Sequence, residues 1–302
     1  MTGTAASTAD APEGTESPSG GATDVLVTAA TGTVGRHVVA ALRDRGVAVR
    51  AGTRRPDAAD VPAGAAATAF DYGRPETWGP ALDGADGLFL VLPPGGAGVD
   101  RLAEFASAAV RTGVDRIVFL STLGADKLPF LPHRRIERRL AALPATTTFL
   151  RASFFMQNLT EVHAAEIREE GAIVVPAGDG RTSFVDAADV GAVGAAVLAD
   201  PEPRPGPLDL TGPAALTYHE VADALSTVLD REIAYEAPSV VAFLRHSVPR
   251  RGLAYSAVMV GIYTSARLGL AGRVTDTVRT VTGREPTALR SFVRRERAAF
   301  TE

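Results

Sequence analysis

Asp24-Val-Leu-Val-Thr-Ala-Ala-Thr-Gly-Thr-Val-Gly-Arg-His-Val-Val-Ala-Ala-Leu42 is the stretch whose reading decides the fold. Val25, Leu26 and Val27 form a short apolar run of the length a buried parallel strand needs. From Thr33 onward Val34, Val38, Ala41 and Leu42 recur at helical spacing. Between the two lies a turn of small residues, Thr28 to Gly35. A strand, a tight turn and a helix aim backbone N–H groups and a helix N-terminus at one point, where an anion belongs. Ala29, Thr31, Gly32, Thr33, Val34 and Gly35 are therefore the expected contacts of a dinucleotide. Gly32 lets the backbone approach a pyrophosphate, and Gly35 lets the helix pack on the strand. The fingerprint has glycine where this chain has Ala29. A Cβ there is expected to narrow the turn and weaken cofactor binding.

Strands and helices alternate beyond this unit. Val47–Thr53 reads as a second strand, followed at once by Arg54 and Arg55. In NAD-type folds an acid lies about 20 residues past the glycines and binds the ribose 2′-hydroxyl. Here Gly32 and Arg54 are 22 positions apart (54 − 32), and the residue is a cation. A guanidinium fits a 2′-phosphate, so NADP(H) is expected over NAD. A third strand ends at Phe70-Asp71-Tyr72. Asp71 is placed either to meet an adenine amino group or to cap the turn before Pro75. Gly87–Leu92 is a continuous apolar run closed by Pro93-Pro94-Gly95-Gly96, which puts Leu92 and Pro93 on the ligand edge. Helix Val99–Thr112 and strand Asp115–Ser121 follow. Five strands with intervening helices specify an α/β chain with a Rossmann-type, doubly wound parallel sheet.

Composition narrows the classes. The chain has 302 residues, a net charge of -4 and no cysteine. Disulfides, thiolate metal sites and cysteine nucleophiles are excluded. A mildly acidic balance argues against a nucleic-acid partner. No apolar run approaches the roughly 18 residues of a membrane span. No metal-ligand cluster, nucleophile elbow or Walker loop is present. Residues 1–22 are small and polar without a basic start, so they read as a disordered tail and not a signal peptide; a cytoplasmic location follows by default.

Taken together, Thr28–Gly35, Leu90-Val-Leu-Pro-Pro94, Ser121-Thr-Leu-Gly-Ala-Asp126, Leu150-Arg-Ala-Ser-Phe-Phe-Met-Gln-Asn-Leu159 and Phe184-Val-Asp-Ala-Ala-Asp-Val190 resemble the NmrA-like, atypical short-chain dehydrogenase/reductase family. The resemblance covers about residues 24 to 300. It implies an NADP-binding Rossmann core, residues 23–155, with a smaller α/β substrate-binding part, residues 156–302, interleaved with it. The family includes quinone, imine, dye and benzylic-ether reductases, and regulators that bind the nucleotide without turning it over. The implied function is NADPH-dependent reduction of a small hydrophobic, conjugated or aromatic molecule (a quinone, enone, ketone or imine) in bacterial secondary metabolism, by a monomer or homodimer. The alternative is a non-redox enzyme of isomerase, cyclase or dehydratase type, or an NADP-sensing regulator, on the same fold.

Hydride transfer to such an acceptor calls for a group that polarises or protonates its heteroatom. Conventional short-chain reductases use a tyrosine and a lysine four apart after the fifth strand, often with a serine at that strand's end. Ser121 and Thr122 occupy the serine's place, but no tyrosine follows. His133 and Glu137 are instead four apart on one helix face, as in several family members. His133, its charge held by Glu137, is a candidate acid, with Ser121 assisting. The competing reading has His133 at the helix start and Glu137 paired with Arg134 or Arg138 on a solvated face. Lys127 is the one lysine in the chain, but no pattern gives it a role. In relatives the segment after the sixth strand lies beside nicotinamide and substrate. Phe154, Phe155 and Asn158, with Thr122 and His133, are thus the expected substrate contacts. Tyr255, Met259, Ile262 and Tyr263 recur at helical spacing as a candidate lid.

Overall fold

The computed structural model describes residues 21–93 and 98–301. Most of the expected tail, and the loop residues Pro94, Gly95 and Gly96, lie outside the described residues. Among the described residues the nine strands are β1 (Asp24–Val27), β2 (Ala48–Thr53), β3 (Ala66–Ala69), β4 (Gly87–Val91), β5 (Arg116–Thr122), β6 (Thr146–Ala152), β7 (Ala172–Val174), β8 (Gly206–Leu210) and β9 (Ala234–Glu236). Seven of them form one parallel sheet in the order β3-β2-β1-β4-β5-β6-β8. Strands covered by helices on both faces must be apolar throughout. Accordingly Val25, Leu26, Val27, Leu88, Phe89, Leu90, Ile117, Val118 and Phe119 are all buried. Strand order reverses between β1 and β4, and in open α/β sheets the carboxyl ends of the strands at that reversal form the ligand crevice.

Twelve helices are described: α1 (Gly35–Arg43), α2 (Trp78–Leu82), α3 (Val99–Arg111), α4 (Pro132–Leu140), α5 (Gln157–Glu161), α6 (Ala164–Glu169), α7 (Ala187–Ala199), α8 (Tyr218–Leu229), α9 (Val240–Arg251), α10 (Leu253–Arg267), α11 (Thr277–Thr282) and α12 (Leu289–Arg295). The chain leaves the sheet after β6 and returns to it, since α7 packs on α1 and β8 pairs with β6. The approach of α7 to α1 is close: a Cβ on Gly191 would sit 2.5 Å from the His37 Cβ. A second apolar core gathers Met156, Leu159, Ile173, Phe184, Tyr218, Leu225, Tyr263 and Phe292 around the short parallel pair β7–β9.

Three boundaries differ from expectation. Ala22, expected in the tail, is part of the fold: it is buried and its N–H donates to the Leu198 carbonyl at 2.9 Å. Helix α1 starts at Gly35 and not Thr33, because residues 28–34 are spent on the turn. Strand β3 ends at Ala69, where its register with β2 reaches Thr53. Phe70 donates one further bond to the Thr53 carbonyl, and Asp71 already belongs to a turn.

Candidate functional site

The turn after β1 is built as an anion cradle. Gly32 N–H closes it on the Ala29 carbonyl at 2.9 Å, and any Cβ on Gly35 would overlap that same oxygen. Among the described residues the N–H groups of Thr31, Thr33 and Val34 have no hydrogen-bond partner. Unpaired backbone donors at a helix start are the groups a pyrophosphate accepts from. Ala29 adopts φ +51°, the left-handed region that the missing glycine would enter freely and an L-residue enters at about 1 kcal/mol. The alanine therefore keeps the turn's shape and bears the strain. Thr33 Oγ1 donates to Glu161 Oε1 at 2.9 Å, which draws α5 onto the rim.

The wall beneath the cradle was not foreseen from sequence. Thr28 Oγ1 donates to the Phe89 carbonyl at 3.0 Å and accepts from Val91 N–H at 3.0 Å. The buried Tyr72 hydroxyl lies 3.1 Å from Thr28 Oγ1 and 3.0 Å from the Val91 carbonyl. Burial pushes its pKa far up, so it stays a neutral donor. This triangle locks the ends of β1 and β4 at the point where strand order reverses. Arg54 and Arg55 stand exposed past β2, and their guanidinium groups have no partner among the described residues. Asp71 Oδ1 accepts from Gly73 N–H at 2.8 Å, and its carbonyl accepts from Trp78 Nε1 at 3.0 Å. Half of the Asp71 carboxylate is thus committed to the turn. Leu92 and Pro93 are half-buried at the end of β4.

At the end of β5 the structure corrects the expected pairing of His133 with Glu137. Positions opposite each other on parallel strands face the same side of the sheet. Ser121 is opposite Arg151, and both face α4. Glu137, fully buried, accepts from Ser121 Oγ at 2.7 Å, from Arg151 Nε at 2.9 Å and from Arg151 Nη2 at 2.7 Å. Arg134 Nη1 adds a fourth bond at 3.1 Å, and Arg151 Nη1 reaches Asp126 at 3.4 Å. Burial pushes the Glu137 carboxyl up; the bonds from Arg151, Ser121 and Arg134 outweigh it, and the group is held below its ordinary value. Neither a solvated face nor a bond to His133 describes Glu137, although the expected Arg134 contact is present. The His133 ring packs on Phe119 at 6.1 Å between centroids. Burial lowers its pKa against the opposing field of Glu137. Near pH 7 it is a neutral imidazole. Lys127 is exposed, with no partner among the described residues.

Past β6, Phe154 and Phe155 diverge. Phe154 packs edge-on against Phe184 at 5.8 Å and leans on Tyr263 at 6.3 Å, in the second core. Phe155 bridges to Val185 and packs on the sheet core. Asn158 is half-buried, and its side-chain amide has no partner among the described residues; Thr122 is also half-buried. Of the expected lid, Tyr255, Met259 and Tyr263 turn inward while Ile262 is exposed. Sequence reasoning missed how this helix is fastened. Tyr263 OH meets His163 Nε2 at 3.1 Å, His163 Nδ1 meets Glu166 at 3.2 Å, and His246 Nε2 meets the other Glu166 oxygen at 3.1 Å. A lone histidine at the start of an amphipathic helix, with an acid three residues on, was the available signal. Among the described residues there is no group of three or more metal-ligating side chains, and no helix long and apolar enough to cross a membrane.

The chain is similar to several known proteins. The NAD(P)H azoreductase of Xenophilus azovorans is 32% identical over 286 residues, covering 91% of this chain and 99% of the relative. The (4-alkanoyl-5-oxo-2,5-dihydrofuran-3-yl)methyl phosphate reductase of Streptomyces griseus is 32% identical over 283 residues, 91% of this chain and 99% of its own. The NADPH-dependent quinone oxidoreductase of Escherichia coli superimposes with a TM-score of 0.78 at 26% identity, covering 90% of this chain and 99% of that one. The model of the NmrA-like family matches residues 22–269, and with that match over most of its length the chain belongs to the NmrA-like family.

Proposed function

We propose that the chain is an NADPH-dependent reductase of a small hydrophobic, conjugated or aromatic acceptor such as a quinone, enone, ketone, imine or azo compound. The observation that carries this reading is the cradle: open N–H groups at Thr31, Thr33 and Val34, with the unpartnered Arg54 guanidinium past the neighbouring strand. Pyrophosphate belongs on the first and a ribose 2′-phosphate on the second. Asp71 contributes its free carboxylate oxygen to the adenine, and Leu92, Pro93 and Ser121 line the nicotinamide half. NADPH, when bound, supplies the hydride. The chain positions the acceptor between Phe154, Phe155, Asn158 and Thr122 and excludes water with aromatic surface. His133, neutral near pH 7, offers a ring N–H to the acceptor's heteroatom. Residues 23–155 serve the cofactor and 156–302 shape the substrate side. The reaction belongs to bacterial secondary metabolism, in the cytoplasm, in a monomer or homodimer.

Three observations favour a second reading, nucleotide binding without turnover. No tyrosine–lysine pair is present, Ser121 is tied to Glu137, and His133 holds no stored proton. Following NADPH consumption with a panel of quinones, azo dyes, enones and imines separates the two. The reductase reading expects turnover with at least one class, diminished by His133→Gln. Tight NADPH binding with no acceptor reduced would replace it with the sensor or a redox-neutral enzyme.

A further inference from the structure

A serine hydroxyl has one proton to give and two lone pairs to receive with. The proton of Ser121 goes to Glu137 Oε1, 2.7 Å away. An ionised carboxylate accepts only, and this one cannot turn aside: Arg151 forks across both of its oxygens and Arg134 holds the second. Among the described residues nothing donates to Ser121 Oγ. The lone pairs are the unused valence of this hydroxyl, at the end of β5, one strand beyond the reversal between β1 and β4.

We propose that Glu137 is a positioning residue that makes Ser121 a hydrogen-bond acceptor toward its ligand, so that Ser121 selects a ligand N–H over a carbonyl oxygen. Resting on the cofactor reading above, the N–H is that of the nicotinamide carboxamide. Ser121 then grips the cofactor and is not a donor to the substrate's heteroatom, and the acceptor is met by His133 instead. The preference is set from outside the site. With an amide in place of the carboxylate, Arg151 Nη2 and Arg134 retain the amide oxygen at the Oε2 position, and the amide NH2 takes the Oε1 position, giving up the Arg151 Nε bond and facing Ser121. That NH2 donates to Ser121, the hydroxyl proton swings outward, and the serine becomes a donor.

The test compares two nucleotides that differ in this one group. NADPH carries a carboxamide; its reduced 3-acetylpyridine analogue carries a methyl ketone of nearly the same shape with no N–H. Fluorescence titration of the full chain is expected to show NADPH bound about tenfold more tightly than the analogue, the equivalent of one hydrogen bond. Ser121→Ala is expected to bind both alike, and Glu137→Gln to favour the acetyl analogue. The ratio of affinities is the readout, because a merely structural loss weakens both nucleotides together. Thermal unfolding checks each variant's fold, and Ser121→Ala, which leaves the Glu137–Arg151 pair intact, decides the question if Glu137→Gln does not fold. Equal affinity of the unmodified chain for both nucleotides, or a preference that survives Ser121→Ala, would overturn the proposal while leaving nucleotide binding in place. Failure to bind either nucleotide would remove the cofactor reading and this inference with it.

Discussion

Arg151 grips both oxygens of Glu137, Nε to Oε1 at 2.9 Å and Nη2 to Oε2 at 2.7 Å, and so takes from His133 the carboxylate that stands four residues away on the same helix. The two charges fasten β6 to α4 from inside the molecule. Both are largely shielded from bulk water: Glu137 is fully buried and Arg151 is 7% exposed.

Removing Glu137 leaves the buried Arg151 only the longer contact to Asp126, at 3.4 Å. Glu137→Ala is expected to cost about 3–5 kcal/mol in denaturant unfolding, and Ser121→Ala, which removes one hydrogen bond, about 1 kcal/mol. The folded-state pKa of Glu137 lies below its unfolded value. Its contribution is therefore present above the ordinary carboxylate pKa and is lost as pH falls through the lowered one. A Glu137→Ala variant as stable as the parent chain would contradict the burial of this pair.

His133 has the opposite charge type and the same direction of pH dependence. Its folded-state pKa is below the unfolded value of about 6.5. Between the two the unfolded chain binds a proton that the folded chain refuses, so stability falls as pH drops below about 6.5 and levels off beneath the folded pKa. His37, also lowered by burial, adds to the same slope. His133→Asn is expected to flatten the slope in part, and an NMR titration of the His133 ring to give a midpoint under 6.5. A midpoint above that value would mean that Glu137, not burial, governs the imidazole.

Ala29 tests whether the turn stores strain. Ala29→Gly removes the left-handed penalty and restores freedom to the unfolded chain, for a net gain of up to about 1 kcal/mol. NADPH is expected to bind more tightly to the variant. Gly35→Ala, whose Cβ would overlap the Ala29 carbonyl, is expected to lose both stability and nucleotide binding. An Ala29→Gly chain that unfolds more easily would show that the alanine is not strained.

These predictions divide along what the sequence makes legible. Strands β1, β4 and β5 are continuous apolar runs, and the Asp186 cap of α7 and the Thr217–Glu220 capping box of α8 are patterns of three and four residues; all of these are local and readable. Glu137 was misread because spacing of four says that two side chains share a helix flank, not which partner the fold brings to it. Its partner is 14 residues on, in the next strand. An arginine closing the uncharged strand run Thr147-Thr-Phe-Leu-Arg151 is the available hint, since a cation at the end of a central strand requires a buried anion. The His163–Tyr263 contact spans 100 residues and leaves no local trace. Tyr72 likewise reads as an ordinary strand-end aromatic until β4 is laid beside β1.

Arg54 bears most directly on whether the cradle holds NADPH. Titration of the purified chain with NADPH, with NADH alongside and the Arg54→Ala variant as control, isolates the 2′-phosphate from the rest of the nucleotide. The account predicts that NADPH binds and is preferred over NADH. It also predicts that Arg54→Ala weakens NADPH by about tenfold, the scale of a charge-assisted hydrogen bond at an open site, while leaving NADH unchanged. Absence of binding by either nucleotide would contradict it, and would mark the strained turn at Ala29 as a cradle that no longer holds a cofactor.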